Sequence, residues 1–312
     1  MDTVWTRHFG AAHISVIREA TGWWPIERAL IEVPEAVWRP EIPVNEQNQL
    51  RVNFNLGHIA LPGASILVDT GFGEYDPTDP TRPLVSVAGM TLDAKLEHSL
   101  ATLGVRPTDV THVLITHMHG DHILGATRTL NGRRVPAFPN ARYYVMAAEW
   151  ASAPAFHQNA EAIEAQKAAL IAANAVELLP SEREIVPGVH FIPAPGESPG
   201  HAIVRVISGG DVVYYLGDLF HYPAEFRHLD WTPLYRDRAA LLGSRQKLLP
   251  QALVENAWLI PAHHHFPAIG KVARSDGGYQ WVPLYRRFRA TVSSRSARSN
   301  GLARTSSTIR RA

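Results

Sequence analysis

The 312-residue sequence contains no cysteine, which excludes disulfides, thiolate zinc sites and cysteine nucleophiles together. Neither charge sign is in excess. Thirty Lys and Arg stand against 29 Asp and Glu, so global electrostatics nominate neither nucleic acid nor a membrane as partner. No run approaches the roughly 18 uninterrupted apolar residues of a membrane span. Met1 to Gly10, with Asp2, Arg7 and His8, lacks the apolar stretch of a signal peptide. A cytoplasmic protein is expected, and the absence of cysteine is compatible with a reducing compartment. Hydrophobic residues at 46% and charged residues at 19% are enough for a sizeable core, in one large α/β domain or two small ones.

The sequence is rich in histidine, with 16 residues. Three of them fall in Thr116-His117-Met118-His119-Gly120-Asp121-His122, directly after the apolar run Val113-Leu114-Ile115. Side chains alternate along a strand, so a strand ending here sends His117 and His119 to one side. Asp121 and His122 then turn toward a second point, and such a cluster can hold two metal ions side by side.

Along the chain, 12–20, 50–60 and 65–68 read as strands, the last ending in Asp69-Thr70-Gly71. Asp69 is expected to bond the amides of its own turn. Segment 21–48, with Trp23, Trp24, Trp38 and several prolines, reads as an irregular arm or lid packed over the core edge. A helix is expected from Thr91 to Leu103, capped by Thr91 or Asp93 and stopped by Gly104. Further strands are expected at 112–116, 142–145, 189–192, 202–207, 212–216, 257–260 and 279–284. Further helices are expected at 147–150, 159–175 and 236–254. One domain, 1–289, built of two similar halves is the economical reading. Residues 290–312, rich in Ser and Arg and without an acidic residue, read as a disordered tail.

Three strands end in chemistry-bearing residues: His117 after 113–116, Asp218 after Val213-Tyr214-Tyr215-Leu216-Gly217, and His263 after Trp258-Leu259-Ile260-Pro261-Ala262. A Gly/Pro turn, Pro195-Gly196-Glu197-Ser198-Pro199-Gly200-His201, adds Glu197 and His201. The H-x-H-x-D-H run, this turn and the Gly217-Asp218 strand end resemble the metallo-β-lactamase-fold hydrolases. Segment 262–272, then Gly278 to Pro283, and Phe138-Pro139-Asn140-Ala141-Arg142-Tyr143 with Glu149-Trp150, are similar to its methyl parathion hydrolase and lactonase-like branch.

The resemblance implies a four-layer αββα sandwich with a binuclear site between the sheets. It assigns His117 and His119 to a first metal, Asp121 and His122 to a second, Asp218 to a bridge, and His263 (in competition with His264 and His265) to the second metal. The sequence departs from the family at the turn, where Glu197 stands in place of the usual first histidine. Either Glu197 ligates through oxygen, or the first metal site is weakened or lost, or His201 substitutes; direct ligation by Glu197 is the favoured expectation, with His201 then a buried supporting residue. A third carboxylate would take the net charge of ions, ligands and bridging hydroxide to zero. It would also harden that position toward Mn, Co or Fe relative to Zn.

The resulting expectation is a hydrolase using two divalent ions, zinc first, and a metal-activated hydroxide on a small-molecule lactone or other ester. Asp121 would orient the nucleophile or pass a proton to the leaving group. Phe72, Phe220, His221, Tyr222 and Trp231 are candidates to line an apolar pocket. The alternatives are organophosphate triester hydrolysis, iron-dependent dioxygenation on the same fold, or a degenerate binding module. Neither nucleic acid nor membrane is expected as partner, and a homodimer is compatible with the sequence.

Overall fold

The structure, a computed structural model, describes residues 2–285 except 31, 77, 79–87, 153–159 and 234–235. The tail proposed for 290–312 lies outside the described residues.

The first half opens with β1 (Val4–Phe9), β2 (Ala12–Pro25), β3 (Gln49–Leu61) and β4 (Ala64–Val68), an antiparallel meander. Two four-residue helices, α1 (Ile26–Ala29) and α2 (Glu35–Trp38), lie between β2 and β3. After β5 (Ala88–Leu92) and helix α3 (Leu96–Thr102), the strand β6 (His112–Leu114) pairs in parallel with β4. A single helical turn, α4 (Gly120–Ile123), and a hairpin, β7 (Thr127–Leu130) and β8 (Arg133–Pro136), precede β9 (Arg142–Met146). Helices α5 (Ala147–Trp150) and α6 (Ala160–Ala172) lead to β10 (Val176–Leu179). The first sheet runs β1-β2-β3-β4-β6-β9-β10, with β5 added beside β2.

The second sheet holds β11 (Arg183–Val186), β12 (Val189–Pro193), β13 (Ala202–Ser208), β14 (Asp211–Gly217), β15 (Trp258–Pro261), β16 (Gly270–Ser275) and β17 (Gly278–Pro283), in that spatial order. Helix α7 (Arg238–Val254) makes the parallel crossover from β14 to β15. Each sheet therefore combines an antiparallel meander with parallel pairing, at β4–β6, β6–β9 and β9–β10 in the first and at β14–β15 in the second.

The layers follow from where the apolar side chains meet. Ile14, Val16, Ile59, Val68 and Leu114 of the first sheet pack against Phe191, Val204, Val213, Tyr215 and Ile260 of the second. The opposite face of the first sheet is covered by Leu96 and Leu100 of α3 and Ile163 and Leu170 of α6. That of the second is covered by Leu241, Leu248, Leu249 and Ala252 of α7. The result is a four-layer αββα sandwich. Among the described residues, no helix is long and apolar enough to cross a membrane.

Three local expectations need correction. Residues 21–25 are not arm but the end of β2, because Thr21 to Pro25 pair with Asn53 to Gln49. The rest of the arm is packed, with Leu30, Trp38 and Ile42 buried against Phe54 and Phe72. The α3 helix starts at Leu96 without a side-chain cap, since Thr91 and Leu92 are drawn into β5 by pairing with Thr21 and Ala20. The strands β1, β7, β8, β10, β11 and β16 escaped the hydrophobic pattern. They are short, and most residues of each are exposed or only half-buried.

Candidate metal centre

The His-rich motif leaves β6 and enters α4, so its four ligand-type side chains converge from a strand end and a helical turn. Two groups of donor atoms form. His117, His119, Glu197 and Asp218 make one, and Asp121, His122 and His263 make the other. In the second group, His122 Nε2 lies 3.4 Å from Asp121 Oδ2 and 3.3 Å from Asp218 Oδ1. His263 Nε2 lies 3.4 Å from Asp121 Oδ2 and 3.1 Å from Asp218 Oδ1. In the first, His117 Nε2 is 2.8 Å from His119 Nδ1 and 3.6 Å from Asp218 Oδ2, and His119 Nδ1 is 3.3 Å from Glu197 Oε1. Donors sharing a tetrahedral zinc at about 2.0–2.2 Å stand about 3.3–3.6 Å apart. Most of these separations match that spacing, and they are longer than good hydrogen bonds. His122 Nε2 and Asp218 Oδ1 are also buried without a hydrogen-bond partner. Buried polar atoms left in that state fit a cation better than they fit one another.

The imidazoles are aimed by their rear nitrogens. His122 Nδ1 meets Asp69 Oδ2 at 2.8 Å, and His263 Nδ1 meets the Asn53 carbonyl at 2.9 Å. Asp69 also accepts from Thr116 N and Thr116 Oγ1, and Thr116 Oγ1 lies 3.1 Å from His117 Nδ1. Each ring thereby turns Nε2 to the centre. Asp69 does not serve its own turn, as the sequence suggested; it organises the next strand end. His201 is occupied on both sides, Nδ1 donating to the Ala194 carbonyl at 2.9 Å and Nε2 accepting the Asp218 N–H at 3.0 Å. That exchange explains Gly217, which has φ +51° and where a Cβ would stand 2.7 Å from His201 Nε2. His264 packs edge-on against Phe226 and Trp281, and His263 alone of the three consecutive histidines joins the donor groups.

Glu149 ties the two ligand-bearing loops together. Oε1 accepts from Met118 N, between His117 and His119, at 2.8 Å, and Oε2 accepts from Ser198 Oγ at 2.6 Å and Gly200 N at 3.0 Å. The join between the sheets is equally direct. Asn53 N and Asn55 N bond the carbonyls of His263 and Ala262, and both Asn side chains bond the His264 carbonyl.

Glu197 has a different setting. Oε1 pairs with Arg236 Nη2, and Oε2 lies 3.5 Å from His221 Nε2, which also stands 3.4 Å from Asp218 Oδ2. Burial pushes the Glu197 carboxyl up, but Arg236 first and His221 next hold it down at about 2. Burial and then Arg236 push His119 down to about 3. Burial pushes His122 down, yet Asp218, Asp121 and Asp69 together hold it well above its ordinary value. The charge count made from sequence omitted Arg236 and so made the first position too negative. Behind His221, the chain is fixed by Glu225, which accepts from His221 N and Tyr222 N and pairs with the fully buried Arg245 of α7 at 2.7 Å. Phe72, Phe220, Tyr222 and Trp231 are buried within the core clusters.

Every ligand-type residue expected from sequence thus falls in one of the two groups. Arg236, the supporting carboxylate Glu149 and the placement of His221 between two carboxylates were missed. His221 left a trace in the sequence, three residues after Asp218 on the same turn, and Glu149 did so as part of the Glu149-Trp150 pair that carries the family resemblance, though without a role.

A family model described as the metallo-beta-lactamase superfamily matches residues 55–263. A probable metallo-hydrolase of Mycobacterium tuberculosis is 29% identical over 182 residues, 50% of this chain and 53% of that protein. An N-acyl homoserine lactonase of Bacillus thuringiensis is 30% identical over 112 residues, 36% of this chain and 39% of that protein. The chain thus matches about half the length, or less, of these curated relatives. A dizinc quorum-quenching lactonase solved with its product superposes with a TM-score of 0.73 at 20% identity, covering 91% of this chain and 98% of that one. A probable metal-dependent hydrolase from Staphylococcus aureus gives 0.73 at 22%, covering 90% and 100%. At such identities the structural likeness speaks for the fold alone.

Proposed function

The chain belongs to the metallo-β-lactamase superfamily, and we propose that it hydrolyses a small lactone or other ester with two divalent ions. One ion would be held by His117, His119 and Glu197, the other by Asp121, His122 and His263, and Asp218 would be shared. The observation that carries this reading is the placement of Asp218: Oδ1 lies 3.3 Å from His122 Nε2, Oδ2 lies 3.6 Å from His117 Nε2, and His263 Nε2 stands 3.1 Å from each oxygen. A carboxylate within reach of both donor groups is placed to be shared between them.

Ions bound there would supply a Lewis acid for the substrate carbonyl and a water acidified toward neutral pH. The chain's own residues supply the rest. Asp121, held at about 2 by His122 and His263 against the effect of burial, stays ionised and can orient an attacking water by accepting its hydrogen bond. Asp69 and the Asn53 carbonyl keep His122 and His263 in register. Phe54 meets His263 edge-on with ring centroids 5.2 Å apart, and Trp24 meets His221 at 5.3 Å. These apolar rings beside the donors suit the alkyl or acyl part of an ester.

The lactonase relatives support the choice of lactone as first substrate class. Zinc is the ion we assign to the Asp121–His122–His263 position, and Glu197 makes the other position the one open to Mn, Co or Fe. The test is elemental analysis of the native protein beside a panel of lactone, aryl ester and phosphotriester. Two equivalents of metal and the highest kcat/KM on a lactone or ester are expected. Oxygen uptake with bound iron, or two bound ions with no hydrolysis of any of the three, overturns the assignment.

A further inference from the structure

The Glu197 turn is fastened to the start of α7 at three points. Asp237 N bonds the Gly196 carbonyl at 3.0 Å, and Ser244 Oγ bonds the Pro195 carbonyl at 2.7 Å. Gly196, at φ +133°, lies so close that a Cβ there would stand 2.2 Å from Leu241 N. Asp237 caps α7 through Ala240 N at 3.0 Å, which fixes the residue before it as well. Arg236 is carried to Glu197 by that junction, and its side chain is only 7% exposed. A guanidinium this buried, against a fully buried carboxylate, is part of the site and not a surface ion pair.

We infer that Arg236 is a built-in counter-charge to Glu197, and that the Glu197–Arg236 pair, not Glu197 alone, sets how strongly the first position holds a cation. This rests on the two-ion reading above. An isolated Glu197 would add a full negative charge beside His119 and Asp218. With Arg236 paired to it, the unit is neutral overall, and the guanidinium repels any cation brought to the same oxygens. Arg236 therefore weakens binding at the first position and leaves the second, on the far side of Asp218, nearly untouched. The same geometry makes the two residues interdependent. Removing Glu197 takes from Arg236 and from His221 the buried carboxylate that both face, whereas removing Arg236 as well relieves the part that falls on the guanidinium.

The experiment is a double-mutant cycle with Arg236→Gln, Glu197→Gln and the combined variant, with Arg236→Lys as the charge-preserving control. Zinc affinity is read by competition with a chelator. Arg236→Gln should tighten the weaker of the two zinc steps by about tenfold, an order of magnitude set by unit charges a few ångströms apart in a protein dielectric. Arg236→Lys should leave that step within about twofold of wild type.

The melting temperature of the metal-free protein reads the pairing without any ion. Glu197→Gln should lower it, and adding Arg236→Gln to Glu197→Gln should recover part of the loss. Strictly additive shifts in melting temperature, or a weaker zinc step unchanged in Arg236→Gln, overturn the pairing. A wild-type protein that takes up fewer than two equivalents of divalent metal, with zinc, Mn, Co and Fe each offered, instead overturns the two-ion reading. The melting cycle still decides the pair in that case.

Discussion

The two donor groups share Asp218 but are built in contrasting ways. Around Asp121, His122 and His263, each imidazole has its rear nitrogen tied down, one by a carboxylate and one by a backbone carbonyl. Around His117, His119 and Glu197, the carboxylate is already engaged by Arg236 and faced by His221. The second position is therefore organised for a cation, while the first is organised and opposed at once. Ligand identity alone would rank the two positions by the count of oxygens and nitrogens. What lies behind the ligands ranks them by how much each must give up to bind.

The largest effect that tests this contrast falls on the residue both groups share. Asp218→Asn should remove metal from both positions and lower kcat/KM by at least about a thousandfold, a loss comparable to removing a principal electrostatic element of a catalytic site. Metal content by elemental analysis and turnover on the preferred ester check it. Retention of two equivalents would show that Asp218 does not bridge.

Next in size is the order of loss on chelation. Titrating the zinc protein with a chelator should release one equivalent well before the other, and Asp69→Asn should weaken the later step by about 10- to 100-fold and the earlier one less, since Asp69 reaches His117 only through Thr116. Equal weakening of both steps would dissolve the distinction between the positions.

The smallest effect on metal binding, though not on stability, concerns the buried carboxyl of Glu19, which accepts from Phe72 N at 2.9 Å beneath the Asp69 turn. Burial lifts it to about 8, against the lowering effect of that hydrogen bond. Its folded pKa is raised, so the folded state binds more protons than the unfolded between its ordinary value and about 8. Stability should therefore fall as pH rises through that window. In the metal-free protein the contribution is on the order of 3 kcal/mol between pH 5 and 8. Glu19→Gln should flatten the profile of denaturation midpoints over that range, and an unchanged slope would refute the assignment.

Much of this contrast could not be read from sequence. The donors were legible because each ends a strand or sits in a Gly-rich turn, and local pattern is what a sequence shows most directly. The αββα layering was legible from the family resemblance, and β3, β6, β13 and β14 from their apolar runs. Residues that act through distance were not. Arg236 and Glu197 are 39 positions apart in sequence, brought together only by the way Gly196 seats on α7. From sequence, Glu149 is named only within the Glu149-Trp150 pair, with no role attached, yet it bonds two loops separated from it in opposite directions. Asp69 was noticed but given the nearest job, because turn chemistry is local and the strand end it supports, His117 to His122, is not. Gly196 reads from sequence as part of a turn and Gly217 as a strand end, while their structural reason is the close approach of a helix backbone and of an imidazole.

One feature of the join between sheets has a mechanical consequence. The centre sits across the seam, with His263 on the second sheet anchored to Asn53 of the first, and with Thr116 O of the first receiving Ala202 N of the second. Bound ions would act as rivets through this seam, since no sheet carries a full donor group by itself. Pulling the halves apart would have to break coordination before it broke much of the apolar core. The amides of Asn53, Asn55 and Ala202 should then be the hydrogen-exchange gauge of that seam, slow when the rivets are in place and quickening first when they are withdrawn.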